Sequence, residues 1–197
     1  MIPRHLILGA MVMIMLALGM SLYAWHMRGR AGQPESASTQ PVAPPVTGPT
    51  EAVTLFVAYD DGEVLRAQST RIPLPAGRQE RAEELLRALL NIYLGKFSPH
   101  LLGAGSEIRD VYLVDPGLAV IDLNAAFADG HRSGVLIEEL TVASLVETLA
   151  TNIPGIIRAK ILVDGKERDT LAGHLDLTTF YDVTAFSQMT LQLESVR

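Results

Sequence analysis

The chain has 197 residues, 48% of them apolar and 19% charged, a balance that permits one folded domain with attachments. Its charge is uneven: residues 1–50 carry three Arg against one Glu, and the remainder carries thirteen Lys or Arg against twenty-one Asp or Glu. So acidic a domain, with no basic run, argues against nucleic acid as a partner, and the absence of Cys excludes disulfides, thiolate metal sites, a Cys nucleophile and a lipid attached through an N-terminal Cys.

Residues 6–25 contain no charged side chain, and at about 1.5 Å per residue they match the roughly 30 Å core of a bilayer. Eight of them are Leu, Ile or Val, and Tyr23 and Trp25 stand where interfacial aromatics belong. A signal peptide has a shorter apolar region and ends on small residues, whereas Leu22 and Tyr23 are large. The segment is therefore expected to be an uncleaved transmembrane anchor, preceded by a tail of residues 1–5. Arg4 and the terminal amine oppose Arg28 and Arg30, so the flanking charges leave its orientation open. Residues 26–52 form a Pro-, Ser- and Thr-rich linker, too poor in large apolar residues to bury a core.

A folded domain is expected over residues 53–193. The β-rich run 53–59, the turn signal Asp60-Asp61-Gly62 and an extended run to Ile72 make a hairpin. Ala82, Leu85, Leu86, Leu89 and Tyr93 then recur at helical spacing with Glu80, Glu83, Glu84 and Arg87 between them. A second hairpin spans 108–114 and 118–123 around Asp115-Pro116-Gly117, and 124–134 reads as a loop. Val142, Leu145, Val146 and Leu149 predict a second helix ending before Pro154-Gly155. The apolar stretch from Ile156 to Val163 is a strand entering a turn at Asp164-Gly165, best placed inside a sheet. The order predicts an α+β fold: two hairpin-helix units and a further strand, giving a largely antiparallel sheet packed against two helices. The segment from Thr178, with Phe180, Tyr181, Phe186 and Met189, is either a closing strand or a docking segment.

Catalytic signatures are missing. There is no Gly-x-Ser-x-Gly elbow and no His-Glu-x-x-His helix. Asp129, His131 and His174 lack ligand-like spacing, so neither a metal nor another cofactor is expected. Glu138 and Glu139 are adjacent, point about 100° apart on a helix and read as a solvated face. Leu102-Gly103-Ala104-Gly105 has neither the strand before it nor the helix after it that a phosphate loop needs. The candidate ligand-binding residues are Asp122, Asn124, Asp164, Gly165 and His174. Asp122 ends a buried strand and is either a ligand group at the sheet edge or the cap of the 124–127 turn. Gly165 supplies a positive φ beside Asp164. His174 with Asp176 is either half of a general-base pair or a turn residue and its cap.

Several phrases in this order resemble the sporulation and spore germination domain called GerMN. They are Val53-Thr54-Leu55-Phe56, Pro73-Leu74-Pro75, the stretch 83–90, and Gly117-Leu118-Ala119-Val120-Ile121-Asp122-Leu123-Asn124 with Phe127. Leu145-Val146-Glu147-Thr148-Leu149 before Pro154-Gly155, and Ile161-Leu162-Val163-Asp164-Gly165 followed by Leu171, Gly173 and His174, complete the set. The resemblance covers residues 53–176. It implies an extracytoplasmic envelope domain, commonly membrane-tethered, that binds a ligand or partner and is not known as an enzyme. It also implies a cytoplasmic N-terminus for the anchor. Members in spore formers are similar to a germination and engulfment lipoprotein; without a Cys, this chain would use residues 6–25 as its tether, which favours a general envelope role over a strictly sporulation-linked one. The leading expectation is a tethered adaptor that binds an envelope protein or peptidoglycan. A cell-wall glycan or peptide hydrolase and a self-assembling structural subunit are the alternatives.

Overall fold

The computed structural model describes residues 48–186, together with Met15 and Met20. Apart from those two methionines, the expected anchor, the linker up to residue 47 and the tail beyond residue 186 lie outside the described residues. Among the described residues no helix is long and apolar enough to cross a membrane.

Strands β1 (Thr50–Tyr59) and β2 (Val64–Pro73) pair antiparallel from Thr50↔Pro73 to Tyr59↔Val64. Val53, Leu55 and Val57 are buried in alternation along β1, the period of two that a pleated strand imposes. Helix α1 (Arg78–Tyr93) turns Ala82, Leu85, Leu86, Leu89 and Tyr93 inward and places Glu80 in its first turn, where the helix dipole favours negative charge. A second hairpin, β3 (Ile108–Val114) and β4 (Leu118–Leu123), is followed by the short helix α2 (Ala125–Asp129) and the long helix α3 (Val135–Asn152). Strands β5 (Arg158–Val163) and β6 (Tyr181–Asp182) complete a second sheet of order β3-β4-β5-β6.

The expected α+β class holds, with one feature added. Three of the four strand pairings are antiparallel, whereas β4 and β5 run parallel from Leu118↔Arg158 to Leu123↔Val163. Helix α3 carries the chain back between them, as a crossover must before a parallel pair can form. Flanked by β4 and β6, β5 buries Ala159 and Ile161 completely. Tyr181 and Asp182 form the closing strand of this sheet, and residues 183–186 turn helical after it.

Two local expectations change. The 124–134 loop contains helix α2, because Asn124 Oδ1 accepts the Phe127 N–H at 2.9 Å and Phe127 packs into the core. Five residues are too few for helical periodicity to declare itself. Helix α3, in turn, has no solvated face along its middle: every residue from Leu140 to Leu149 is buried. Its polar residues are internal, and so is Glu138, which overturns the reading of Glu138 and Glu139 as a solvated pair.

The outer edge of β1 explains why there are two sheets. The Thr54 N–H donates to Asn152 Oδ1 at 3.1 Å, Phe56 N–H to Thr148 Oγ1 at 2.9 Å, and Ala58 N–H to the Tyr93 hydroxyl oxygen at 2.9 Å. Residues four apart on a helix rise about 6 Å and residues two apart on a strand about 6.7 Å, so Thr148 and Asn152 match the spacing of successive edge amides. Helix side chains thus stand where a third strand would pair.

The Gly-rich run after α1 also has a packing reason. A Cβ on Gly103 would lie 2.7 Å from the Gly130 carbonyl oxygen and 2.9 Å from the Gly130 Cα. Gly103→Ala must push two backbones apart and is expected to destabilise the fold by about 1 to 3 kcal/mol. A lowered denaturant midpoint with unchanged slope would record it; an unchanged midpoint would show that the backbones separate freely.

Candidate functional site

Four of the five candidate residues meet around the ends of β4 and β5. Asp122 is buried, and its Oδ1 accepts the Gly165 N–H at 2.7 Å while its Oδ2 lies 3.9 Å from Arg109 Nε. Arg109 also reaches Asp164 Oδ1 at 3.2 Å. Asp164 and Gly165 both have positive φ, 51° and 71°, which turns the chain so that the Gly165 amide faces Asp122. Asp122 therefore clamps the turn after β5 and does not cap the 124–127 turn; Asn124 does that, accepting from Phe127 and Glu107 N–H and donating to the Gly105 carbonyl. Arg109 and Glu107 are shared with a cleft of about 250 Å³ between α1 and β3, which Glu83, Arg87 and Asp110 also line. The candidate quartet thus borders an open, charged cleft through Arg109 and Glu107.

His174 belongs to a second centre. Glu138, fully buried at the start of α3, accepts the N–H groups of Gly134, Ala172, His174 and Leu175 at 2.9 to 3.1 Å, and His174 Nδ1 lies 3.0 Å from its Oε1. Burial alone would raise this carboxyl, but the amides of Leu175, Ala172 and Gly134 together with His174 outweigh it and hold its pKa down at about 2. Ser133 Oγ is also 3.1 Å from His174 Nδ1. The triplet of Ser, His and Glu is not a catalytic triad, because a relay needs the acid on one ring nitrogen and the nucleophile on the other, and here both meet Nδ1. The pairing of His174 with Asp176 does not form: Asp176 Oδ1 accepts from the Thr178 N–H and hydroxyl, and the Thr178 bonds hold its pKa below the ordinary value.

A third centre was not among the candidates. His100 Nδ1 lies 2.5 Å from Asp60 Oδ1, and its Nε2 lies 2.6 Å from Thr141 Oγ1. His131 Nε2 approaches the same hydroxyl at 2.7 Å, while its Nδ1 lies 2.7 Å from the Arg132 carbonyl oxygen. The order acid, imidazole, hydroxyl is that of a hydrolase triad, but Thr141 is fully buried and its oxygen is enclosed by both rings and the Ile137 carbonyl, leaving no approach for a substrate. Burial is the largest influence on both rings and leaves both below the ordinary histidine value, although Asp60 pulls His100 up and the Arg132 carbonyl does the same for His131. Among the described residues no group of three or more His, Cys, Asp or Glu is placed to hold a metal ion.

Asp60, His100, His131 and Thr141 come from four separate stretches of chain, so no local spacing announces them. Glu138 did carry a signal, since it reaches back to the N–H of Gly134 ahead of α3 much as a capping-box glutamate does.

An α+β domain with buried polar centres bonded inward and charged clefts open on its surface is the class that the fold and these centres define. Residues 54–169 match the family Germane, described as sporulation and spore germination, and the chain belongs to that family. Among solved structures it is similar to a candidate lipoprotein from Clostridium perfringens, at 20% identity over 70% of this chain and 89% of that one, with a TM-score of 0.45. It is also similar to the first GerMN domain of the sporulation protein GerM from Bacillus subtilis, at 20% identity over 68% of this chain and 96% of that one, with a TM-score of 0.47. The tandem GerMN domains of that protein align at 18% identity over 68% of this chain and 46% of theirs, with a TM-score of 0.49. No curated protein matches the chain.

Proposed function

We propose that this protein is a membrane-tethered envelope adaptor that works by binding and not by catalysis. Residues 6–25 would be its single span with the N-terminus inside, and the domain would stand outside the cytoplasmic membrane on the 26–52 linker, holding an envelope protein or peptidoglycan. The observation that carries this reading is the inward bonding of the buried groups best suited to catalysis. Asp122, Glu138 and the hydroxyl of Thr141 are buried and bonded by the fold, while the charged cleft at Glu83, Arg87, Glu107 and Arg109 stays open. Tethering supports modest affinity, because a domain confined near its partner experiences a high effective concentration.

A photoreactive amino acid at position 87, in the cleft, is expected to crosslink an envelope component in intact cells, and the same group at the exposed position 69 on β2 is not. Equal labelling from both positions, or none from either together with failure of the protein to cosediment with peptidoglycan, would overturn the binding reading. Turnover of cell-wall fragments by the purified full chain, abolished by Asp122→Asn, would replace it with a hydrolase. Protease accessibility of tags at the two ends in spheroplasts checks the topology, which fails if the N-terminal tag is the one exposed.

A further inference from the structure

The buried centre at Thr141 contains more contacts than hydrogens. Five short contacts run through it: Asp60 with His100 Nδ1, His100 Nε2 with Thr141 Oγ1, Thr141 Oγ1 with His131 Nε2, His131 Nδ1 with the Arg132 carbonyl, and Thr141 Oγ1 with the Ile137 carbonyl. A carboxylate and two carbonyl oxygens can only accept. Two neutral imidazoles and one hydroxyl bring three hydrogens, so with neutral rings two of these contacts would set lone pair against lone pair inside the protein. Each ring must keep its proton on Nδ1 to serve Asp60 or Arg132, which leaves both Nε2 atoms competing for the single hydroxyl hydrogen.

One further proton removes one of the two conflicts. With His100 charged, its Nδ1 donates to Asp60 and its Nε2 to Thr141, whose hydroxyl donates to His131 Nε2, whose Nδ1 donates to the Arg132 carbonyl. Only the contact to Ile137, at 2.9 Å the longest of the five, is left without a hydrogen. We propose that the folded protein takes this proton from solvent, so that His100 and His131 share one imidazolium at neutral pH, and that its release in mild alkali weakens the seam they close. That seam joins the β1–β2 turn through Asp60, the connection after α1 through His100, α3 through Thr141 and the connection after α2 through His131.

The surroundings bear on the proton in both directions. Asp60 faces it from the β1–β2 turn and is itself shared with Arg132, whose Nη1 is 2.7 Å from the second carboxylate oxygen. From α1, Tyr93 sets its ring edge-on to His100 at 5.0 Å, and burial pushes its phenol up to about 12, so it stays neutral. The Arg132 cation itself disfavours charge on His100, and Glu138 on α3 acts on His131 as a further anion. Phe127 of α2 stacks on His131. Burial opposes the cation and lowers both rings, but the 2.5 Å carboxylate partner and the relief of one lone-pair conflict favour it.

The test is nitrogen NMR of the full chain in detergent with labelled histidine, each ring assigned by its own substitution. One of the two rings is expected to carry hydrogen on both nitrogens at pH 7 and to titrate above free imidazole. Thr141→Val, which keeps the volume and removes the hydroxyl, should return both rings to one hydrogen each and move the midpoint below 6.5; Thr141→Ser should restore the parent behaviour. A group raised in the folded state stabilises below its unfolded value and loses that contribution as pH rises through the folded one, so the parent's denaturant midpoint should fall across the ring's titration. Two singly protonated rings at pH 7 in the parent, or a denaturant midpoint that rises over that range, would overturn the proposal, and both are read on the parent protein.

Discussion

Glu138→Gln is expected to lower stability by about 3 kcal/mol at neutral pH and to flatten the acid limb of the pH–stability curve. Four backbone amides, on Gly134, Ala172, His174 and Leu175, point at the two carboxylate oxygens, and the side chain is fully buried. An amide in its place offers one oxygen and turns an NH2 group toward N–H donors, which leaves buried donors without acceptors. The sign of the pH effect follows from the depressed value. The carboxyl sits at about 2 in the fold against 4.5 ordinarily, so its contribution is complete above about 4.5 and is lost as pH falls toward 2. A depression of that size corresponds to roughly 3 kcal/mol. Denaturant midpoints of parent and variant between pH 2 and 7 should converge at the acid end and separate above pH 4.5. Parallel curves would mean that Glu138 does not ionise against these amides.

The same residue marks the boundary of what a sequence discloses. Periodicity reveals an element when one face is apolar and the other is not, which is why α1, with Leu85, Leu86 and Leu89 set against Glu83, Glu84 and Arg87, was legible with its ends. The middle of helix α3 is enclosed on all sides, so Thr141, Ser144 and Thr148, like the buried Glu138 before them, interrupt its pattern as though they faced water. Glu138, Thr141 and Thr148 find partners 34, 41 and 92 residues away at Ala172, His100 and Phe56, and no spacing rule links such positions. Turn chemistry was legible for the opposite reason. Gly165 needs its positive φ locally, and that requirement is written in the Asp164-Gly165 pair itself. What the turn faces was not: the acceptor for the Gly165 amide is Asp122, 43 residues earlier, brought there by the parallel pairing of β4 with β5.

Thr148→Val with Asn152→Leu is expected to detach the β1–β2 hairpin edge from α3 and to cost about 3 to 5 kcal/mol, each orphaned buried polar group contributing about 1 to 3. Thr148 supplies one acceptor, to Phe56 N–H. Asn152 makes two bonds to the strand, accepting from Thr54 N–H at 3.1 Å and donating to the Thr54 carbonyl at 2.6 Å. Both substitutions keep the apolar volume, so the loss falls on hydrogen bonding and not on packing. The effects should not simply add, since Asn152 Nδ2 also bonds the Thr148 carbonyl one turn back at 2.7 Å. Amide exchange isolates the mechanism. In the double variant the Thr54 and Phe56 amides should exchange faster, while the Ala58 amide, held by the untouched Tyr93 hydroxyl at 2.9 Å, should remain protected. Uniform acceleration of all three would indicate that the hairpin unfolds as a unit. Continued protection of Thr54 and Phe56 would show that strand pairing with β2, and not helix α3, keeps this edge dry.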